Sequence, residues 1–340
     1  MVSLKDIAKA CGVSVATVSK ALNGQDSIGA ETRRRICAAA DEMGYVANSV
    51  ARALKTKRSY NLGILFMDEQ RSGLEHEYFS TVLEGFKAEA ESHNYDITFI
   101  NSHIGQQSMS YVQRCRNRGL DGVVIACVDF SDPRILELAE SSIPLVTIDH
   151  VFENHTAILS DNVNGVDTLV RYAYRKGHRK IAYLHGEDTA VTRGRLTGFH
   201  RACKELGLEI PPEYLIPCVY HDPDLCYRAT QKLLQTPQRP TCILFPDDFS
   251  FIGGLNALLE NGLTIPYGKS VNPLMSVMGY DGIKMARMIQ LTTYSQNATQ
   301  IGRTAAAKLI RRIEYPQEFQ PEQILITGGL IEGLTVEDLT

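Results

Sequence analysis

Ser3-Leu4-Lys5-Asp6-Ile7-Ala8-Lys9-Ala10-Cys11-Gly12-Val13-Ser14-Val15-Ala16-Thr17-Val18-Ser19-Lys20-Ala21-Leu22-Asn23 reads as two short helices joined by a tight turn. Leu4, Ile7, Ala8 and Cys11 fall at i, i+3, i+4 and i+7, which lays an apolar stripe along one helical face. Ser3 is placed to cap that helix, with Asp6 at the capping-box position where a negative charge also suits the helix dipole. Gly12 ends it and Ser14 caps the next helix two residues later, which gives the helix-turn-helix shape. On the second helix Val18, Ala21 and Leu22 must face the first. Ala16 and Lys20 then point away, flanked by Thr17 and Ser19. Small residues, hydroxyls and one cation on an outer face can enter a DNA major groove. An ordinary helical hairpin with a solvated polar face would show the same pattern.

Glu31 to Met43 continues as a third helix, with Ile36, Ala39, Ala40 and Met43 on one face to close a small three-helix core. About 45 residues make a marginal domain, so its stability is expected to depend on neighbours or on DNA. The charge is unevenly placed. The chain carries −4 overall, yet residues 1–60 hold ten basic against five acidic side chains, which leaves −9 on the remainder. A basic head on an acidic body points to a polyanion met by the head alone.

The whole chain has 340 residues with 44% hydrophobic content, enough for more than one domain. No run of eighteen apolar residues suggests a membrane span, and no charged-then-apolar leader precedes the first helix, so a cytosolic protein is expected. Eight scattered cysteines without a C-x-x-C pair read as free thiols of a reducing compartment. The nine histidines lack metal-ligand spacing, and neither metal nor cofactor is expected.

Three stretches in order carry a resemblance. D-I-A-x-x-x-G-V-S-x-x-T-V-S-x-x-L-N from Asp6, E-T-R-x-R-I from Glu31 and G-Y-x-x-N-x-x-A-R-x-L from Gly44 are similar to the LacI/GalR family of bacterial repressors. The family implies a hinge near 48–56, helical when two subunits sit together on operator DNA. Leu54 matches the leucine that wedges into the minor groove there. Val50, Ala51, Ala53 and Leu54 are also what any linker helix packed on its own protein would show. Ala47 departs from the proline common in the family.

Beyond Tyr60 short apolar runs alternate with amphipathic segments, the rhythm of parallel sheets flanked by helices. Strands are expected at 61–66, 96–101, 121–127, 145–148, 180–185, 214–219 and 241–245, and helices at 77–93, 163–176, 194–206, 224–235 and 249–261. The fold class expected is α/β: an all-α head at 1–46, a hinge at 47–59, and a two-lobed core of doubly wound parallel sheets at 60–340. The resemblance makes that core periplasmic-binding-protein-like. Its crossovers would fall near Ser160-Asp161, Gln290-Leu291 and Gln320-Pro321. Lobe one then holds about 60–160 plus 291–320, and lobe two 161–290 plus 321–340.

Ligands of such folds lie at strand carboxyl ends. Polar residues follow apolar runs at Asp149, Asp247, Asp248 and Asp281, and Arg195 opens a helix. Carboxylates and a guanidinium can bind a polyhydroxylated molecule, although carboxylates at strand ends are equally common as helix caps. Neither G-x-x-x-x-G-K-S/T nor G-x-S-x-G occurs, and Gly253-Gly254 reads as a close helix contact. By resemblance Arg195 and Asp281 match effector contacts, Tyr78 and Phe79 an aromatic pair, and His221 a stacking position. Asp247 stands where another polar residue is frequent, and Asp149 and Asp161 match acids near the crossover. Gly282 replaces a second acid, and the stretch from Pro266 to Met275 is longer than usual. Thr189 stands where purine-binding relatives have arginine, which favours a neutral sugar.

The expectation is a homodimeric transcription regulator of carbohydrate genes. Ser14, Val15, Ala16, Thr17, Ser19, Lys20, Asn23 and Leu54 would meet a pseudo-palindromic operator in double-stranded DNA, with Ala16 touching a thymine methyl. A small sugar would bind between the lobes. A two-lobed transport protein would need a leader and no basic head. A glycan-acting enzyme would need a named carboxyl pair for acid-base work.

Overall fold

A computed structural model describes residues 2–22, 27–45, 58–67, 73–101, 109–267 and 274–340, in two units that divide at Ser59. Asn23, Leu54, most of the hinge and residues 268–273 of the long loop lie outside the described residues.

The first unit is three helices: α1 (Leu4–Cys11), α2 (Val15–Leu22) and α3 (Ala30–Glu42). The Asp6 carboxylate accepts from the Ser3 backbone N–H at 2.8 Å and from its hydroxyl at 2.7 Å. Gly12 ends α1 in a left-handed conformation (φ 63°), which lets Val13 N–H reach the Ala8 carbonyl at 3.0 Å. The expected apolar faces meet: Ile7, Ala8, Val18, Ala21, Ile36 and Ala40 form one buried cluster.

The second unit begins with β1 (Asn61–Phe66), α4 (Glu77–Ser92), β2 (Asp96–Phe99), α5 (Tyr111–Asn117), β3 (Gly122–Ala126), α6 (Pro133–Glu140), β4 (Leu145–Ile148) and β5 (Thr156–Ser160). Next come α7 (Asn162–Arg175), β6 (Ile181–His185), α8 (Ala190–Glu205), β7 (Leu215–Pro217), α9 (Pro223–Leu234), β8 (Cys242–Leu244), α10 (Phe251–Glu260), β9 (Ser276–Met278), α11 (Lys284–Met288) and β10 (Thr293–Ser295). The chain then adds α12 (Ala298–Glu314), β11 (Gln323–Ile326) and β12 (Gly329–Ile331).

Lobe one is built on a parallel sheet of order β11-β5-β4-β3-β1-β2, and lobe two on a parallel sheet β7-β6-β8-β9 with the antiparallel pair β10-β12 beside it. Every strand of lobe one except the two at the edges is buried on both faces, which is why those strands read as unbroken apolar runs.

Two crossovers differ from expectation. β10 stays with lobe two, because parallel bridges tie Met278 to Thr292 and Asp281 to Ser295. The return to lobe one therefore starts at α12. It also runs past residue 320, because β11 pairs in parallel with β5 from Gln323 opposite Ala157 to Ile326 opposite Ser160. The stretch 321–326 thus belongs to lobe one.

Close helix crossings depend on missing side chains. A Cβ at Gly85 would lie 2.2 Å from the Thr299 carbonyl, and one at Gly302 1.9 Å from that of Val82, so α4 and α12 touch through their backbones. Gly253 does the same for α10 against the Pro223 carbonyl at 1.7 Å, in line with the close contact expected there.

Candidate functional site

The outer face of α2 is the first candidate. Val15 is 40% exposed, Ala16 and Lys20 are exposed, Thr17 and Ser19 are half-buried, while Val18 and Ala21 are buried. Ser14 fixes the start of this helix: its Oγ accepts from Thr17 N–H at 3.1 Å and shares a 2.8 Å hydrogen bond with the Thr17 hydroxyl. Together these residues form a short apolar and hydroxyl-bearing ridge ending in a cation, the combination suited to base edges and phosphates.

The second candidate is a cavity of about 720 Å³ between the two lobes, at the carboxyl ends of both sheets. Tyr78, Phe79, Asp149, Arg195, His221, Asp247 and Asp281 all line it. Asp161 does not. It caps α7 instead, accepting from Asn164 N–H at 3.2 Å and from its side-chain amide at 2.8 Å, so the expected ligand role gives way to a structural one.

Arg195, 3% exposed, is held by Nε to Asn162 Oδ1 at 2.9 Å and Nη1 to the Pro246 carbonyl at 2.9 Å. Its guanidinium lies 3.8 Å from the Tyr280 ring centroid and 4.9 Å from that of Tyr220, and Nη2 stands 3.9 Å from Asp281 Oδ1. α8 can carry it there because it starts four residues before the expected position, where the Thr189 hydroxyl accepts from Thr192 N–H at 3.2 Å.

Asp281 accepts from Gln296 Nε2 at 2.6 Å, and burial pushes its carboxyl up to about 8, with Arg195 opposing the shift. Asp149 accepts from the Ser160 backbone N–H at 2.7 Å and hydroxyl at 3.0 Å, and burial raises it as well. Asp247 is occupied by three donors, His221 N–H, Ser250 N–H and Ser250 Oγ, at 2.9, 2.7 and 2.7 Å. It lines the cavity while holding the 221 turn to the start of α10.

Asp149, His221 and Asp281 have left-handed backbones, with φ of 56°, 59° and 108°. Such conformations at non-glycine residues gather at functional sites and persist only where surroundings fix them. Asp248 does the fixing beside Asp281, accepting from Gly282 and Ile283 N–H at 2.7 and 3.0 Å and from the Thr293 hydroxyl at 2.7 Å. Gly282 has φ 70°, and a Cβ there would lie 2.7 Å from Ser295 Cα. A second acid cannot stand at that position.

Rings complete the walls. Phe79 stacks on Phe66 with centroids 3.5 Å apart, Phe130 on His150 at 3.9 Å, and His76 of lobe one on His221 of lobe two at 4.0 Å. Glu77 Oε1 adds a second bond between the lobes by accepting from Lys284 N–H at 2.6 Å. Phe130, His150, Glu187, Arg193, Tyr220 and Gln296 line the cavity without having been singled out in the sequence. Phe130 and His150 follow strands β3 and β4, so the strand-end rule that marked Asp149 extends to them. Gln296 follows a strand too short to read. Among the described residues, no group of three or more His, Cys, Asp or Glu is arranged to hold a metal ion. None of the helices there is long and apolar enough to cross a membrane.

A helix-turn-helix unit with an open recognition face, on one chain with a two-lobed α/β unit enclosing a ligand-sized cavity, defines a class: a DNA-binding transcriptional regulator with a ligand-binding domain. The family profile described as bacterial regulatory proteins, lacI family, matches residues 3–48, and that described as periplasmic binding proteins and sugar binding domain of LacI family matches residues 61–333. The HTH-type transcriptional repressor PurR of Escherichia coli O139:H28 (strain E24377A / ETEC) is 30% identical over 346 residues, covering 99% of this chain and 98% of that one. A lac repressor dimer bound to operator and the anti-inducer ONPF superposes with a TM-score of 0.77 at 23% identity, covering 99% of both chains. A LacI family regulator from Enterococcus faecium with bound ribose gives 0.69 at 25% identity, covering 82% of this chain and 100% of that one. The chain belongs to the LacI family, whose members are transcriptional repressors and not enzymes.

Proposed function

We propose that this chain is a cytoplasmic, homodimeric repressor of carbohydrate genes whose operator affinity is switched by a small sugar held between its lobes. One observation carries the reading: the buried Arg195 and the half-buried Asp149 and Asp281 converge on a cavity walled by stacked rings. Carboxylates accept from adjacent sugar hydroxyls, the guanidinium donates, and an aromatic face packs on a sugar ring. The ribose-bound relative of the same fold supports it. Thr189 spends its hydroxyl on capping α8, and no guanidinium stands at that position.

On the DNA side Val15, Ala16 and Lys20 enter the major groove of a pseudo-palindromic operator, with Ser14, Thr17 and Ser19 on phosphates. Asn23 and Leu54 keep the phosphate and minor-groove roles that the family resemblance assigns them. Ligand binding favours one lobe arrangement, and the paired hinges pass that preference to the heads. The flat Phe66/Phe79 and Phe130/His150 stacks would also receive a planar base, which supplies the second reading.

Thermal-shift screening of the full-length protein against mono- and disaccharides, with nucleosides alongside, decides between them. Stabilisation by a saccharide is the expected result. Stabilisation by nucleosides alone would replace the sugar with a base.

A further inference from the structure

Three cavity carboxylates, Asp149, Asp247 and Asp281, surround a single buried guanidinium, Arg195. That guanidinium gives one N–H donor to Asn162 and one to the Pro246 carbonyl, and approaches the nearest of the acids, Asp281, to 3.9 Å. The outer wall does not restore the balance among the described residues. Six carboxylates and two guanidinium groups of these line the cavity, and the second guanidinium, Arg193, is exposed and paired with Asp188 at 2.6 Å.

Nor does His150 supply the missing charge, since burial pushes its imidazole down.

A second, independent observation points into the same place. Tyr78 is 9% exposed and lines the cavity, and its buried hydroxyl lies near the Ser160 side chain without a well-formed hydrogen bond to it. Leaving a buried polar group incompletely satisfied destabilises the site, and a ligand group that reaches it relieves that. Among the described residues the carboxylates are not arranged as metal ligands. What fits them is a cation with several donors on a small frame.

We propose that the effector carries a positively charged amino group, set among Asp149, Asp281 and the Tyr78 hydroxyl, and that the cavity rejects phosphorylated and carboxylated sugars. The inference rests on the sugar reading, which it narrows to amino sugars. An ammonium offers three donors to acceptors that a neutral hydroxyl would satisfy only in part, and it favours the ionised form of Asp281, which a neutral ligand leaves protonated. An anion would oppose that ionisation. Asp281 faces Arg195 from α8, Asp247 from the end of β8, Asp149 from the end of β4 and Tyr78 from α4. Because burial keeps Asp281 protonated near neutrality, an arriving ammonium displaces its proton to solvent.

Calorimetric titration of the full-length protein with matched probes tests this: glucosamine against glucose, galactosamine against galactose, the N-acetylated forms, glucose 6-phosphate, and spermidine as an amine that is not a sugar. The amino member of at least one pair should bind about tenfold tighter than its hydroxyl parent, and N-acetylation should erase the difference. At pH 7 its apparent enthalpy should vary with the ionisation enthalpy of the buffer, reporting proton release. Asp149→Asn should weaken binding of the amino sugar more than that of its hydroxyl parent, and so shrink the amine advantage.

Equal or tighter binding of the neutral parents, or binding of the phosphate ester, overturns the amine while leaving the sugar reading intact. Binding of spermidine alone would keep the cationic ligand and discard the sugar. Silence from every probe would overturn both.

Discussion

Asp281 joins a left-handed backbone (φ 108°) to a carboxyl that burial holds at about 8, so its side chain is neutral in the folded protein where it is ionised in the unfolded chain. A raised folded value has one sign. The stability it contributes is complete below about pH 4 and is lost as pH rises towards 8. Thermal unfolding of wild type and Asp281→Asn between pH 5 and 8 should show the wild-type advantage narrowing as pH rises, whereas parallel curves would deny the shift. Asp161 gives the opposite kind of test. As a helix cap it should cost about 1 kcal/mol when changed to alanine and leave ligand affinity unchanged. Loss of ligand binding in that variant would return it to the site. Asp281 ends an apolar run in the sequence, whereas Asp161 was marked by the family resemblance. Asn164, three residues on, makes it a cap. Asp149 and Asp281 were readable because strand ends place them, and Arg195 through the resemblance, since it lies inside α8 and not at its start. Gln296 and Tyr220 were not, because β10 and β7 have three residues each and leave no apolar period to read.

At the scale of elements, α1 to α3 follow their apolar spacing within a residue or two, because each buries a single stripe against the other two. The outer face of α2 is what that packing leaves free. Lys20→Ala should weaken operator binding in a gel-shift assay with ligand affinity intact, and equal loss of both would point to misfolding rather than to a lost phosphate or base contact. The core elements were legible where an amphipathic helix or a long apolar run exists. α12 and β11 were not, since their positions depend on partners remote in sequence: α4 for the one and β5 for the other. That dependence is testable. Gly302→Ala places a Cβ 1.9 Å from the Val82 carbonyl, so α4 and α12 must separate. The core should lose about 1–3 kcal/mol in denaturant unfolding. An unchanged midpoint would show that the two helices have room to spare.

For the molecule as a whole, charge divides function: a basic head for DNA, and an acid-rich cavity in a core whose interlobe contacts, among the described residues, include the His76–His221 stack and the Glu77–Lys284 bond. The division was visible in composition, and the two-lobed plan in the alternation of strands and helices. The exact crossovers were not, because short hydrogen-bonded bridges set them rather than hydrophobic pattern. Under the proposed function, a ligand held around Arg195 governs the grip of the head on DNA. Fluorescence anisotropy of labelled operator, titrated with full-length protein in the absence and presence of the tightest saccharide found by screening, tests it directly. Wild type should change its operator affinity by about fivefold or more. Arg195→Ala should keep its ligand-free affinity and show no change when the saccharide is added; a variant that still responds like wild type would contradict the claim.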